Sequence, residues 1–337
     1  MDLGELRKKA RENLMPYCRV CPVCDGRVCA GEVPGMGGTG TGTGFRANIE
    51  ALARRRFNLK TLHGVRQVET TMTLWGQTLT MPVIAAPTTG VSYNMGGRMT
   101  EEAFVEAWVR GALQEGTLAM TGDGADPVMY DSGLRAIRDV GGQGIPIIKP
   151  RSQEEIIRRI RQAEEAGAPA VGMDVDGAGL ITMALKGQPV GPKTPAELRE
   201  IIAATPLPFI VKGIMTPSEA AIAADCGAAA LVVSNHGGRV LDFTPGTAEV
   251  LPGIAEQVRG RLTILVDGGV RSGADVLKLL ALGADAVLVG RPLIIGALGN
   301  GQDGVAQLLR KMQGELAAAM LLTGTADVRH VACDILA

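Results

Sequence analysis

The chain has 337 residues, 46% of them hydrophobic and 20% charged, and 34 Lys and Arg nearly balance 35 Asp and Glu for a formal net charge of −1. That length suits one large α/β barrel or two smaller domains. The near-neutral balance and an aromatic content of only 3% exclude the basic footprint and base-stacking platforms of a nucleic-acid-binding protein.

No apolar run is long enough to span a bilayer, and Met1-Asp2-Leu3-Gly4-Glu5 lacks a cationic-then-apolar leader pattern, so a cytoplasmic protein is expected. Residues 1–14 mix charges with Leu3, Leu6 and Leu14 and predict an amphipathic surface helix. Cys18, Cys21, Cys24 and Cys29 follow, four of the six cysteines, spaced C-x2-C-x2-C-x4-C. Close thiolates on a turn-rich loop can hold Zn²⁺ or an iron–sulfur cluster. Four ligands from one short loop are cramped for zinc, and a cluster often takes its last ligand from further away. The same residues read equally well as reactive or disulfide-capable thiols on a mobile loop. Cys226 and Cys333 lie in apolar contexts and read as ordinary buried thiols.

Residues 35–44, Gly-Met-Gly-Gly-Thr-Gly-Thr-Gly-Thr-Gly, predict a flexible loop or lid and lack the Lys-Ser/Thr of a phosphate-binding P-loop. A helix over 48–57 would carry a face of Arg54, Arg55 and Arg56, and residues 70–79 predict a hairpin turning at Gly76-Gln77 that caps a barrel bottom. From Met81 the pattern becomes regular. Apolar strand candidates recur at 82–86, 117–121, 145–149, 170–175, 208–212, 229–234, 262–267 and 285–289. Helical patterns lie near 101–115, 131–140, 152–166, 195–204, 216–226, 247–259, 272–282 and 303–322. Eight alternating units predict a (β/α)8 TIM barrel over residues 81–337, with 1–80 as an N-terminal extension. A doubly wound sheet fits less well, because no strand is followed by G-x-G-x-x-G opening a helix.

The chemistry gathers at predicted strand ends. The sixth apolar run ends in Ser234-Asn235-His236-Gly237-Gly238-Arg239, followed by Asp242, so a base, a fixed cation and permissive glycines meet where parallel barrels build catalysis. The seventh and eighth end in Asp267-Gly268-Gly269-Val270-Arg271 and Gly290-Arg291. Glycine backbone N–H groups with arginines at these two strands point to a phosphorylated ligand. Lys212 ends an apolar strand, which makes a plain surface lysine the weaker reading.

The S-N-H-G-G-R run followed by L-D resembles the signature of the FMN-dependent α-hydroxy-acid oxidase and dehydrogenase family. The resemblance runs from about residue 45 to the end and is strongest from 208 to 292. It implies that the phosphorylated ligand is FMN and that a 2-hydroxy acid, a small carboxylate, is oxidised to the 2-oxo acid. His236 would take the hydroxyl proton, Asp176 would partner it, Arg239 would bind the substrate carboxylate, and Lys212 would stabilise the reduced flavin. Pro87, Thr88, Thr121, Lys149, Ser234, Asp267, Gly268, Gly269, Arg271, Gly290 and Arg291 would hold the cofactor. The resemblance also implies a homo-oligomer, tetramers being common in the family.

The chain departs from that pattern at the substrate. The family's early Tyr falls near Pro34, its strand-3 Gln and Tyr are absent with Lys149 in their neighbourhood, Asp174 stands where the family has Thr, and the second substrate Arg has no counterpart in 177–183. Two alternatives stay open: a non-redox flavin enzyme similar to type 2 isopentenyl diphosphate isomerase, and a flavin- or thiol-based redox sensor.

Overall fold

The computed structural model describes all residues, 1–337. Two helices, α1 (Leu3–Leu14) and α2 (Thr43–Arg54), precede a hairpin of β1 (Met72–Leu74) and β2 (Gln77–Leu79). Then come β3 (Val83–Thr88), α3 (Val91–Asn94), α4 (Glu101–Gln114), β4 (Ala119–Thr121), α5 (Pro127–Asp139), β5 (Ile145–Ile148), α6 (Gln153–Glu165) and β6 (Val171–Asp174). The second half runs α7 (Ile181–Leu185), α8 (Pro195–Ala203), β7 (Phe209–Ile214), α9 (Pro217–Asp225), β8 (Ala230–Val233), α10 (Thr247–Val258), β9 (Thr263–Val266), α11 (Gly273–Ala281), β10 (Ala286–Val289) and α12 (Arg291–Thr323). Strands β3 to β10 are parallel neighbours in chain order, and β10 closes on β3, giving the (β/α)8 barrel expected from the eight apolar runs.

The strands read as continuous apolar runs because both of their faces are buried. Ala230 and Val232 point into the barrel with Ile84, Ile145, Ile147, Ile210 and Leu288, whereas Leu231 and Val233 face the helical layer. Leu74 and Leu79 of the hairpin join the inner cluster and close that end of the barrel. The hairpin turns at Trp75-Gly76, not Gly76-Gln77: both residues have positive φ (46° and 75°), and Leu74 pairs with Gln77.

Three more expectations need correction. The second helix starts at Thr43 rather than 48 and stops at Arg54, because the Asp242 carboxylate accepts the Thr43 N–H at 3.0 Å and Arg55 is already extended. The Gly-rich segment is packed rather than loose. Gly35, Met36, Gly37, Gly38 and Thr39 are buried, and a Cβ on Gly37 would lie 1.9 Å from the Cys29 carbonyl oxygen. Close approach, not mobility, requires glycine there. Cys226 is buried as expected but Cys333 is exposed.

The last helix contains the predicted 303–322 segment but begins at Arg291, with a break at Asn300-Gly301. No helix is long and apolar enough to cross a membrane.

One buried ion cluster braces the barrel between β4 and α6. Asp123 accepts from Arg151 at 3.0 and 3.1 Å, from Arg159 at 3.2 Å and from the Lys149 backbone N–H at 2.9 Å, and all four residues are buried. Arg159 also pairs with Glu155 at 2.7 Å, but Asp123 is the one carboxylate on Arg151, so removing it leaves a buried guanidinium uncompensated, which costs about 3–5 kcal/mol. Asp123→Ala is therefore expected to lower the unfolding free energy in urea by about that amount, whereas Glu106→Ala, which breaks an exposed pair with Arg110, should change it by no more than about 0.5 kcal/mol. Equal effects would contradict this placement of the load.

Candidate active site

The site grows from the turn after β8. Asn235 is a structural pin. Its side-chain carbonyl accepts from Asn48 of α2 at 2.8 Å and from the Gly238 N–H at 3.1 Å, and its amide donates to the Gly44, Thr244 and Pro245 oxygens. The Asp242 carboxylate accepts from the Thr41 and Thr43 backbone at the start of α2. Both ends of the motif thus clamp the Gly-rich segment and α2 across the barrel mouth. His236 lies between them with φ at 57°, a left-handed conformation that costs a non-glycine residue about 1–3 kcal/mol. Ser234 holds it there: its Oγ accepts the His236 N–H at 3.0 Å and donates to Asp267 Oδ1 at 2.8 Å.

Those clamps present His236 to a cavity at the C-terminal mouth. Pro87, Thr88, Lys149, Lys212, His236, Arg239, Asp267, Gly268, Gly269, Arg271, Gly290 and Arg291 all line it. Three predicted residues do not. Asp176 sits behind the imidazole, with Oδ1 3.1 Å from His236 Nδ1. Ser234 works through the His236 backbone. Thr121 is turned away, because the side chain before it, Met120, faces the barrel interior. Its hydroxyl lies against Gly133 of α5 without a hydrogen-bond partner, and Gly122 lines the cavity instead.

The acidic half of the site centres on Asp174. Its carboxylate takes Lys149 Nζ on one oxygen and Lys212 Nζ at 3.2 Å on the other, with His236 Nδ1 3.5 Å away. Burial pushes the Asp174 carboxyl up, but the two ammonium groups outweigh it and hold it well below the usual range. Asp176 goes the other way. Burial and repulsion from Asp174 raise it to about 6, and its Oδ2 is buried without a partner. Burial pulls Lys212 down, yet the Asp174, Asp176 and Asp267 carboxylates outweigh that and hold it above its ordinary range.

The opposite wall is cationic. Arg239, Arg271 and Arg291 have no carboxylate within 4.0 Å among the salt bridges of the chain. Arg239 is steered by the Gly35 and Gly37 carbonyls and by Asn94 Oδ1 at 3.0 Å. Arg291 donates to the Met36, Gly37 and Gly237 carbonyls and lies 3.8 Å over the Phe45 ring. Burial lowers Arg239 to about 10, and burial with its two arginine neighbours lowers Arg291 to about 9. Both remain cations at neutral pH. The backbone N–H groups of Gly268, Gly269, Gly290 and Arg291 have no acceptor in the chain. Unspent N–H donors beside uncompensated arginines form a site for an anion such as phosphate.

Sequence reasoning missed Tyr93 and Asn94, which reach the cavity from α3. The signal was present: they sit in the loop that follows the first barrel strand, introduced by Gly90 at φ 86°. The Tyr93 hydroxyl donates to the Met129 sulfur at 3.3 Å, and burial followed by the Glu101 charge raises it to about 12.

The family profile described as FMN-dependent dehydrogenase matches residues 35–187 and 182–337. A 2-hydroxyacid oxidase of Dictyostelium discoideum is 49% identical over 135 residues, 40% of this chain and 35% of that relative. An L-lactate oxidase of Roseobacter sp. (strain GAI101) is 45% identical over 150 residues, 44% of this chain and 40% of that protein. The matched segments thus span well under half of either curated relative. Among solved structures, a mandelate oxidase with (S)-2-phenylpropionate superposes with a TM-score of 0.79 at 31% identity over 99% of this chain and 97% of that one. A mandelate oxidase variant carrying an FMN adduct matches with the same TM-score of 0.79 at 30% identity, covering 98% of each chain. With both halves of the barrel matched and the strand-end glycines and arginines converging on one cavity, this chain belongs to the FMN-dependent dehydrogenase family.

Proposed function

We propose that this chain binds FMN at the barrel mouth and oxidises a small 2-hydroxy acid to the 2-oxo acid. The single observation that carries the reading is His236, which lines the cavity beside Arg239 with its Nδ1 committed to Asp176. The free N–H groups of Gly268, Gly269, Gly290 and Arg291, next to Arg271, would hold the phosphate end of FMN. When bound, the flavin supplies a two-electron acceptor for the substrate carbon.

The protein groups divide the remaining work. Arg239 holds the substrate carboxylate by charge-assisted hydrogen bonds. Because Nδ1 of His236 faces Asp176, Nε2 is the nitrogen left to take the hydroxyl proton. Asp176 then sits beside the imidazolium, its Oδ1 3.1 Å from Nδ1, and offsets its charge. Lys212 places a fixed positive charge among the cavity-lining groups, where electron density arrives. Lys149 adds a second cation held by Asp174. Met36, Met95, Leu180 and Ile294 line the same cavity and exclude water. Tyr93 stands in for the family's absent tyrosines. Its only side-chain acceptor is a thioether, a weak one that a substrate oxygen readily replaces.

Isolated without oxygen, the protein is expected to carry about one FMN per chain, and its oxidised flavin absorbance should bleach with at least one member of a panel of 2-hydroxy acids. A flavin that none of them reduces would overturn the reaction while leaving the cofactor site intact.

The pH profile tests the His236–Asp176 pair. With Asp176 raised to about 6, its carboxylate is ionised above that pH and takes up a proton below it. The imidazolium then loses its counter-charge, so kcat/KM should fall as pH drops from about 7 to 5. Asp176→Asn should lower kcat by about 10²-fold or more and displace that acid limb. An unchanged acid limb in the variant would remove Asp176 from the role.

A further inference from the structure

The four N-terminal cysteines are not used by the chemistry above, and they do not sit on a loose loop. Arg7 donates to the Val20 and Cys21 carbonyls, and Arg19 forms a two-pronged pair with Glu32 at 2.7 Å. Arg271 reaches over from the flavin side to donate to the Cys24 carbonyl. Cys18, Cys21, Cys24 and Cys29 are all free, half-buried and line one small cavity with Met36, Phe45 and Arg291. Burial raises the Cys18 and Cys29 thiols, and charge on Cys24 adds to the rise at both.

We propose that Cys18, Cys21, Cys24 and Cys29 ligate a [4Fe–4S] cluster. Three observations converge on it. The first three cysteines keep the C-x2-C-x2-C run that places three thiolates around a cubane cluster, and Cys29 lines the same cavity as the fourth. The second is hydrogen bonding to sulfur: the Val20 N–H meets Cys18 Sγ at 3.4 Å and Arg271 Nη2 meets Cys24 Sγ at 3.4 Å. N–H donors to sulfur and nearby cations stabilise an anionic cluster. The third separates cluster from single ion. Tetrahedral zinc with Zn–S bonds of about 2.3 Å needs its thiolates nearly touching. Yet Asp174, Asp176 and His236 are the one set of such side chains whose ligand atoms all lie within 4.8 Å of one another, and no cysteine trio qualifies. A cubane holds its thiolates further apart than one ion does.

The placement gives the cluster a task, and this half of the inference rests on the proposed hydroxy-acid oxidation. Met36 and Arg291 line both the cysteine cavity and the flavin cavity, so the two are adjacent compartments of one mouth. Oxidation of one 2-hydroxy acid releases two electrons and two protons. His236 takes the hydroxyl proton, and the other leaves to solvent. The cluster passes the electrons outward one at a time to a one-electron carrier protein, and two reduced carriers balance each 2-oxo acid formed. Dioxygen is then not the required acceptor.

The test uses the full chain, isolated without oxygen and also reconstituted with ferrous iron and sulfide. The expected result is about four iron and about four acid-labile sulfide per chain and a paramagnetic cluster signal after dithionite. Cys24→Ala should lose that iron and signal while retaining FMN, whose presence reports a folded barrel. Zinc in place of iron, two iron per chain, or full FMN with no iron after reconstitution would each overturn the cluster. Adding a 2-hydroxy acid that bleaches the flavin should raise the same signal without dithionite. Bleaching with no cluster signal overturns the electron route alone. Iron and sulfide present in a protein whose flavin no hydroxy acid reduces would instead overturn the proposed reaction and, with it, the route.

Discussion

Asp174 is a single buried carboxylate shared by two buried ammonium groups, and the charge balance at the barrel mouth follows from it. Near it, Lys149 and Lys212 stand against Asp174, Asp176 and Asp267, two positive charges against three negative, which leaves one negative charge while His236 is neutral. At an effective dielectric of about 20, a unit pair about 4 Å apart interacts by about 4 kcal/mol. The excess charge stands beside the His236 imidazole, with Nδ1 3.1 Å from Asp176 and 3.5 Å from Asp174. The carboxylate surplus around His236 belongs to the group as a whole rather than to any one partner.

The other wall reverses the sign. Arg239, Arg271 and Arg291 each donate to backbone carbonyls, which orient them without neutralising them. Carbonyls of the Gly-rich segment do this for Arg239 and Arg291, so the glycines matter because they let backbone come close to a guanidinium. The cationic wall on this side and the carboxylate surplus on the other are held by one loop arrangement. Asn235 and Asp242 fix that arrangement by tying the β8 turn to α2.

The barrel was legible in the sequence because strands buried on both faces read as plain apolar runs, and all eight were found where the structure has them. The strand-end residues were legible because chemistry there demands particular residue types in fixed order, as with His236 followed by Arg239. What stayed hidden depends on three-dimensional neighbours. Thr121 was assigned to the cofactor, but strand alternation turns its hydroxyl toward Gly133. The Gly-rich segment looked mobile because composition carries no record of the Cys29 carbonyl that fills the space of a missing Cβ. Tyr93 escaped because, although its place after the first barrel strand was a signal, V-S-Y-N itself does not mark a short helix that bends back into the mouth. Asp174 was recognised as a departure, but its bond to Lys149 joins residues 25 apart in the chain and could not be read from either alone.

The most direct measurement is the rate at which a 2-hydroxy acid bleaches the flavin in His236→Asn, under anaerobic conditions and with FMN content measured alongside. Retained FMN with reduction slowed by about 10²- to 10⁴-fold is the predicted result, because the variant keeps the cavity and loses the base. Retained FMN with reduction at the unaltered rate would contradict it, and the proton would have to leave by another group.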